Sequence, residues 1–218
     1  MTKESSMIKR NPEGTRRRIL DAATEEFRLG GYAGARVDCI AKRAETNERM
    51  LYYYFGSKKK LFIAALEHTY DAFIAAQSAL QLAGVPPEEA IVLYIRFIWD
   101  YYAAHPEMIR LVNNENLHHA EHLRESTIRT SFMPVIGVLE DILMRGAASG
   151  VFRAQVDPLR FYLTISALGY YVLSNRYTLA ETFGRDFMQP DERALVQLAH
   201  TEMLLGYLRS AVGNSTGP

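Results

Sequence analysis

The stretch from Val37 to Leu61, VDCIAKRAETNERMLYYYFGSKKKL, limits what this 218-residue chain can fold into more than any other. Val37, Ile40, Ala41 and Ala44 recur at helical spacing, so a first short helix has one apolar face and turns Asp38, Lys42 and Arg43 to water. Glu45 and Thr46 interrupt the pattern. Asn47 is a favoured N-cap, because its side-chain oxygen can accept from the free N–H groups of a new helix, here Glu48 to Phe55. Two short helices joined by a tight turn form a helix-turn-helix.

The second of these helices exposes unusual side chains. Leu51 and Phe55 stand one turn apart and can pack inward, which leaves Glu48, Arg49, Tyr52 and Tyr53 on the outer side. Tyrosine hydroxyls donate well to phosphate oxygens, and arginine can make a bidentate contact to guanine in the major groove. Ser57 then caps a further helix among Lys58, Lys59 and Lys60, where free N–H groups and ammonium groups both attract phosphate. Spacing by itself also suits an ordinary helical pair with a solvated basic end.

The run IAKRAETNERMLYYYFGSKKKLF resembles the DNA-binding segment of the tetracycline-repressor (TetR) family, whose pattern is roughly I-A-x-x-A-G-V-S-x-x-x-L-Y-x-Y-F-x-S-K-x-x-L. Ile40, Ala41, Ala44, Leu51, Tyr52, Tyr54, Phe55, Ser57, Lys58 and Leu61 match it. Glu45, Thr46 and Asn47 replace the family's Gly-Val-Ser turn; Asn47 keeps the capping chemistry, and Glu45 takes the place of a glycine that is usually left-handed. Tyr32 fits the aromatic that follows the family's glycine pair. Ala35 stands at its usual threonine, so one phosphate-binding hydroxyl is missing and Arg36 is the nearest cation. The resemblance implies that Arg36, Asn47, Glu48, Arg49, Tyr52, Tyr53, Tyr54 and Lys58 face DNA. It also implies a ligand-responsive transcriptional regulator, expected to be a repressor, that binds a palindromic double-stranded operator as a homodimer and is released by a small organic effector.

The whole sequence fits that expectation. With 48% hydrophobic residues it can bury a sizeable core. Its formal charge is zero, yet residues 1–60 hold 14 Lys and Arg against 8 Asp and Glu, and the remainder 11 against 17. A cationic N-terminal module is attracted to a DNA backbone that repels the acidic remainder. No apolar run reaches the length of a membrane span, and the basic N-terminus lacks the apolar segment of a secretory signal. Cys39 is the single cysteine, which excludes an intrachain disulfide and suits a reducing cytoplasm.

Along the chain the reading is all-α: a basic arm over 1–11, a helix-turn-helix domain over 12–60, a ligand-binding and dimerisation domain over 61–212, and a frayed tail over 213–218. A helix from about Thr15 is stopped by Gly30-Gly31 and completes a three-helix core. Later helices are expected from Lys58 to about Leu82, from Pro87 to about Ala104, a short one after Pro106, from Leu123 to Ala148 with a kink at Pro134, from Pro158 to about Arg176, and a last one after Asp191.

Two features suggest what the larger part is for. The helix PLRFYLTISALGYYVLSN is apolar nearly all round and the last helix has a broad apolar face. In the family the last two helices pair with their copies, which would place Leu173, Leu195, Leu198, Leu204 and Tyr207 in a dimer interface; otherwise they are core helices of a monomer. Large amphipathic side chains recur as well, and the pocket set expected from them is Trp99, Tyr102, Met108, Asn113, His118, Phe132, Met133, Tyr170 and Arg176. The alternative is an all-α metalloprotein or metalloenzyme using Glu115, His118 and His122, since Glu-x-x-His is a di-iron spacing; no second such pair occurs in the chain. No cofactor, catalytic residue, metal or membrane partner is expected.

Overall fold

A computed structural model describes residues 11–209. Eleven α-helices are present among them: α1 (Pro12–Gly34), α2 (Val37–Arg43), α3 (Glu48–Phe55), α4 (Lys58–Ser78), α5 (Pro87–Ala104), α6 (Pro106–Leu117), α7 (Ile128–Ser131), α8 (Met133–Ala148), α9 (Pro158–Ser174), α10 (Arg176–Phe183) and α11 (Pro190–Arg209). A single 3₁₀ turn, Leu123–Glu125, precedes α7, and no strand occurs among the described residues. The arm and the tail lie outside these residues, apart from Asn11, whose side chain caps α1 by accepting the Gly14 N–H at 2.9 Å.

The chain divides into two compact units. Among the described residues the first holds 11–69 and Asn114–Ser126, and the second holds Tyr70–Asn113 and 127–209. A boundary near residue 60 does not anticipate the return of Asn114–Ser126 to the N-terminal unit, because nothing in local periodicity signals a long-range insertion.

In the first unit, α1 to α3 and the start of α4 enclose Ile19, Ala23, Phe27, Ile40, Leu51, Leu61, Phe62 and Leu66, all buried. The rings of Phe27 and Phe62 meet edge to face at 4.8 Å, an arrangement that favours aromatic pairs beyond their buried area. The glycine pair does interrupt α1: Gly31 has φ 63° and ψ −175°, and Ala35 N–H then bonds back to Gly31 O at 3.2 Å. A side chain at Gly31 would lie 2.5 Å from the Asn114 amide, so both backbone conformation and space require glycine there.

In the second unit α5 is the central element. Ala90, Ile91, Tyr94, Ile95, Ile98 and Trp99 are wholly buried along it, against Val135, Leu139 and Ile142 of α8, Phe161 and Ile165 of α9, and Leu204, Leu205 and Leu208 of α11. The Phe152 ring lies directly over Gly146, where a Cβ would come within 1.8 Å of it. Arg145 ties the 82–85 connection to α8 by donating to Val85 O at 2.7 Å and Leu82 O at 3.1 Å.

Several expected boundaries shift. The helix foreseen from Leu123 to Ala148 is in fact three pieces, and Pro134 falls in the first turn of α8, where its missing N–H costs nothing, instead of kinking a longer helix. α4 stops at Ser78 and α1 begins at Pro12, three residues before the expected Thr15. α10 was not foreseen: Asn175 is both C-cap of α9 and N-cap of the next helix, so the polar break is one residue long.

Candidate nucleic-acid interface and ligand cavity

The helix-turn-helix is built as its sequence requires. Thr46 N–H bonds to Ala41 O at 3.0 Å and Glu45 takes φ 51°, so the turn keeps the left-handed residue that a glycine would supply. Asn47 Oδ1 accepts the Met50 N–H at 3.1 Å and fixes the start of α3. Leu51 and Phe55 are buried, whereas Glu48, Arg49, Tyr52 and Tyr53 are exposed, Tyr53 to 76%. Tyr54 is half-buried with its ring edge-on to Tyr53 at 5.1 Å. Ser57 Oγ accepts the Lys60 N–H at 3.1 Å and so caps α4.

The cations differ in how free they are. Arg36 is exposed but is held by Asp38 through two bonds of 3.0 and 2.7 Å, and that hydrogen bond and charge keep the Asp38 carboxyl below its usual value. Lys59 pairs with Glu125 at 2.6 Å. Lys58 lies 5.0 Å from the centre of the Tyr32 ring, and Arg49 makes no ion pair among the described residues. The Glu125 partner, and the Asn114 side chain that accepts the Tyr32 N–H at 3.3 Å, could not be read from the sequence because both arrive from more than sixty residues away.

The second unit contains a cavity of about 470 Å³. Tyr102, Met108, Phe132, Met133 and Tyr170 line it, together with Tyr70, Ile109, Val112, Ile128, Arg129, Ile136, Leu159, Tyr162 and Leu163. The lining is apolar except for tyrosine hydroxyls and one guanidinium, and no carboxylate faces it. Burial pushes the Tyr102 and Tyr162 hydroxyls up, which keeps them protonated and able to donate. Arg129 was missed although it stands one turn before Phe132; a charged residue in a polar run gave no signal of facing a cavity.

Four of the expected pocket residues lie elsewhere. Trp99 is wholly buried and lies against His200, ring centres 5.4 Å apart, as core. His118 is exposed and belongs to the first unit. Asn113 stands behind the wall, accepting from the Tyr170 hydroxyl and donating to Ser174 Oγ at 2.9 Å; with Arg176 it lines a separate space of about 60 Å³. The metal constellation does not assemble either: both Glu115 oxygens are taken by His122 and Leu123, and no cluster of three His, Cys, Asp or Glu side chains occurs among the described residues.

On α9 and α11 a set of large apolar side chains faces outward: Leu159, Leu163 and Tyr171, and Leu195, Leu198, Met203 and Tyr207. Leu173 and Leu204, which the sequence places with them in a dimer interface, are buried in the core of the unit, at 6% and 3% exposure. Among the described residues no helix is long and apolar enough to cross a membrane.

Comparison with known proteins agrees with this geometry. Residues 19–65 match the family "Bacterial regulatory proteins, tetR family", and residues 87–203 match "Tetracyclin repressor-like, C-terminal domain". The HTH-type transcriptional repressor NicS of Pseudomonas putida is 39% identical over 194 residues, covering 88% of this chain and 92% of NicS. The HTH-type transcriptional repressor SCO4008 of Streptomyces coelicolor is 35% identical over 152 residues, or 68% of this chain and 74% of its own length. Among solved structures, the putative transcriptional regulator SCO4942 of Streptomyces coelicolor superimposes with a TM-score of 0.66 at 28% identity, covering 87% of this chain and 97% of that one. The protein therefore belongs to the tetR family of bacterial transcriptional regulators, with a helix-turn-helix in its first unit and the family's C-terminal domain in its second.

Proposed function

We propose that the chain is a repressor that binds a two-half-site operator as a homodimer and releases it when a small, largely apolar organic molecule occupies the cavity of the second unit. The observation that carries the reading is α3, which turns Arg49, Tyr52 and Tyr53 outward from a packed Leu51–Phe55 edge, between the Asn47 and Ser57 caps. Arg49 is the base reader, donating to guanine. Tyr52, Tyr53, Lys58 and the N-terminus of α4 hold phosphates, and Arg36, Asn47, Glu48 and Tyr54 border the same face. Two relatives that are named repressors support the sign of regulation.

The exposed leucines of α9 and α11 support a dimer, since apolar patches of this kind are generally covered. A dimer engages successive half-sites about 34–36 Å apart, so a change in its geometry costs both contacts together. The effector acts to the extent that it binds the released geometry better than the gripping one. Nothing in this reading calls for catalysis or a cofactor, and the lone Cys39 fits a reducing compartment.

The test is selection of bound DNA from random fragments by the full chain, followed by sedimentation and a screen for compounds that release the selected DNA. The expected result is a palindromic consensus bound by two copies. Recovery of no common sequence, or release by no compound that also binds the protein, overturns the reading.

A further inference from the structure

The end of α6 and the histidine-rich segment after it play no part in the reading above, yet together they hold a fully buried ionisable pair, Glu115 and His122. Glu115 is 0% and His122 1% exposed. Glu115 Oε2 accepts the backbone N–H groups of His122 at 3.2 Å and Leu123 at 3.1 Å, and Oε1 lies 2.7 Å from His122 Nδ1. A carboxylate taken out of water needs such donors, and here three converge on it. To close around it the chain adopts left-handed conformations at two successive non-glycine residues, His119 (φ 54°) and Ala120 (φ 56°), which L residues resist. The imidazole is thus fixed in place by its own loop.

What that ring touches gives it a use. The centre of the His122 ring lies 4.4 Å from that of Tyr32 and 4.8 Å from that of Phe62. Tyr32 in turn carries the Lys58 ammonium 5.0 Å from its ring centre, and its backbone N–H is held by Asn114 Oδ1 at 3.3 Å. From the same segment Glu125 holds Lys59 at 2.6 Å. The returning segment therefore touches the aromatic or the cation at two of the three lysines that open α4. An aliphatic residue at 122 would fill the space but leave Glu115 one donor short.

We propose that His122 is a positioning residue for DNA binding: fixed by Glu115, its ring sets Tyr32, and Tyr32 sets the Lys58 ammonium against phosphate. The inference rests on the reading of the first unit as a DNA-binding unit and assigns a role to residues far from it in sequence. It acts on affinity for any duplex and leaves base preference alone, because Arg49 is not part of the chain of contacts.

The experiment measures affinity of the full chain for its selected operator and for an unrelated duplex across a salt series. His122→Asn keeps a donor for Glu115 and removes the ring; Tyr32→Leu keeps the Glu115–His122 pair and removes the ring that Lys58 faces. Each is expected to weaken both duplexes by the same factor, roughly three- to tenfold, and to make the slope of log affinity against log salt shallower by about one. Neither should lose more when combined with Lys58→Ala. A folded variant with the wild-type slope, or losses that add to that of Lys58→Ala, overturns the proposal. If His122→Asn does not fold, Tyr32→Leu decides. A wild-type chain that selects no sequence overturns the DNA-binding reading and this inference with it, whereas normal selection with unchanged slopes in the variants overturns this inference alone.

Discussion

Glu45 holds φ 51° at the sharpest point of the helix-turn-helix, and it does so without the glycine that the family pattern places there. A left-handed conformation costs an L residue about 1–2 kcal/mol, while a glycine costs about 0.4–1 kcal/mol more chain entropy on folding. Relief of strain wins narrowly, so Glu45→Gly should raise stability by up to about 1 kcal/mol, read as a higher urea midpoint at constant slope. The outer residues of α3 and α4 divide by chemistry. Arg49→Ala should cost about 1–3 kcal/mol at one operator position and relax preference there, whereas Lys58→Ala should weaken all duplexes alike and reduce the salt slope by about one. Equal losses on operator and random DNA for both variants would reverse the assignment of base reader and phosphate holder. The outward placement of Arg49 and Tyr53 was legible in the sequence because it depends on local spacing, with Leu51 and Phe55 packed inward. The partners of Tyr32 and Lys59 were not legible, since Asn114 and Glu125 reach them through tertiary structure alone.

Among the elements, those bounded by strong punctuation were readable and those without it were not. Pro87 and Pro158 open α5 and α9 as expected, and Gly30-Gly31 breaks α1. The piece from Leu123 to Ser131 carries enough apolar residues to pass for the start of α8, but the three donors converging on Glu115 and the turn at Ser126 hold it apart. Burial likewise separates two leucines of α11 that the dimer expectation groups together. Leu198 is 55% exposed and Leu204 3%. A charge at Leu198 should therefore leave the fold intact, split the dimer and lower operator affinity, because the two half-sites are no longer held together. Leu204→Glu should instead unfold the unit, through an unpaired charge in a close-packed core. Sedimentation and circular dichroism separate the outcomes. If Leu198→Glu remains dimeric at micromolar concentration, the interface lies on another face.

At the scale of the whole molecule, the second unit differs from an ordinary helical core in how much tyrosine it buries. Tyr94, Tyr102 and Tyr162 are nearly free of solvent, and desolvation pushes their hydroxyls, with those of Tyr101 and Tyr170, above the ordinary value, Tyr101 to about 12. A cavity with hydrogen-bonding walls requires some of these groups, but Tyr94 does not line it and its hydroxyl has no hydrogen-bond partner among the described residues. An unsatisfied buried group of that kind costs about 1–3 kcal/mol, so Tyr94→Phe should leave stability at neutral pH unchanged or raise it. The same burial fixes the alkaline behaviour. Because each tyrosine ionises at higher pH folded than unfolded, the stability it contributes is complete below the unfolded value near pH 10 and is lost as pH rises from there through the folded one. Stability should therefore fall once pH rises past about 10, with the fully buried Tyr94 contributing to the fall. Urea midpoints should hold level up to about pH 9 and fall steeply beyond it, with tyrosinate absorbance rising in step with loss of helix, and Tyr94→Phe should make the fall shallower. A midpoint that stays level through about pH 12, or native tyrosines that ionise at their ordinary value before any helix is lost, would show that water reaches these hydroxyls and that the second unit is more open than its packing indicates.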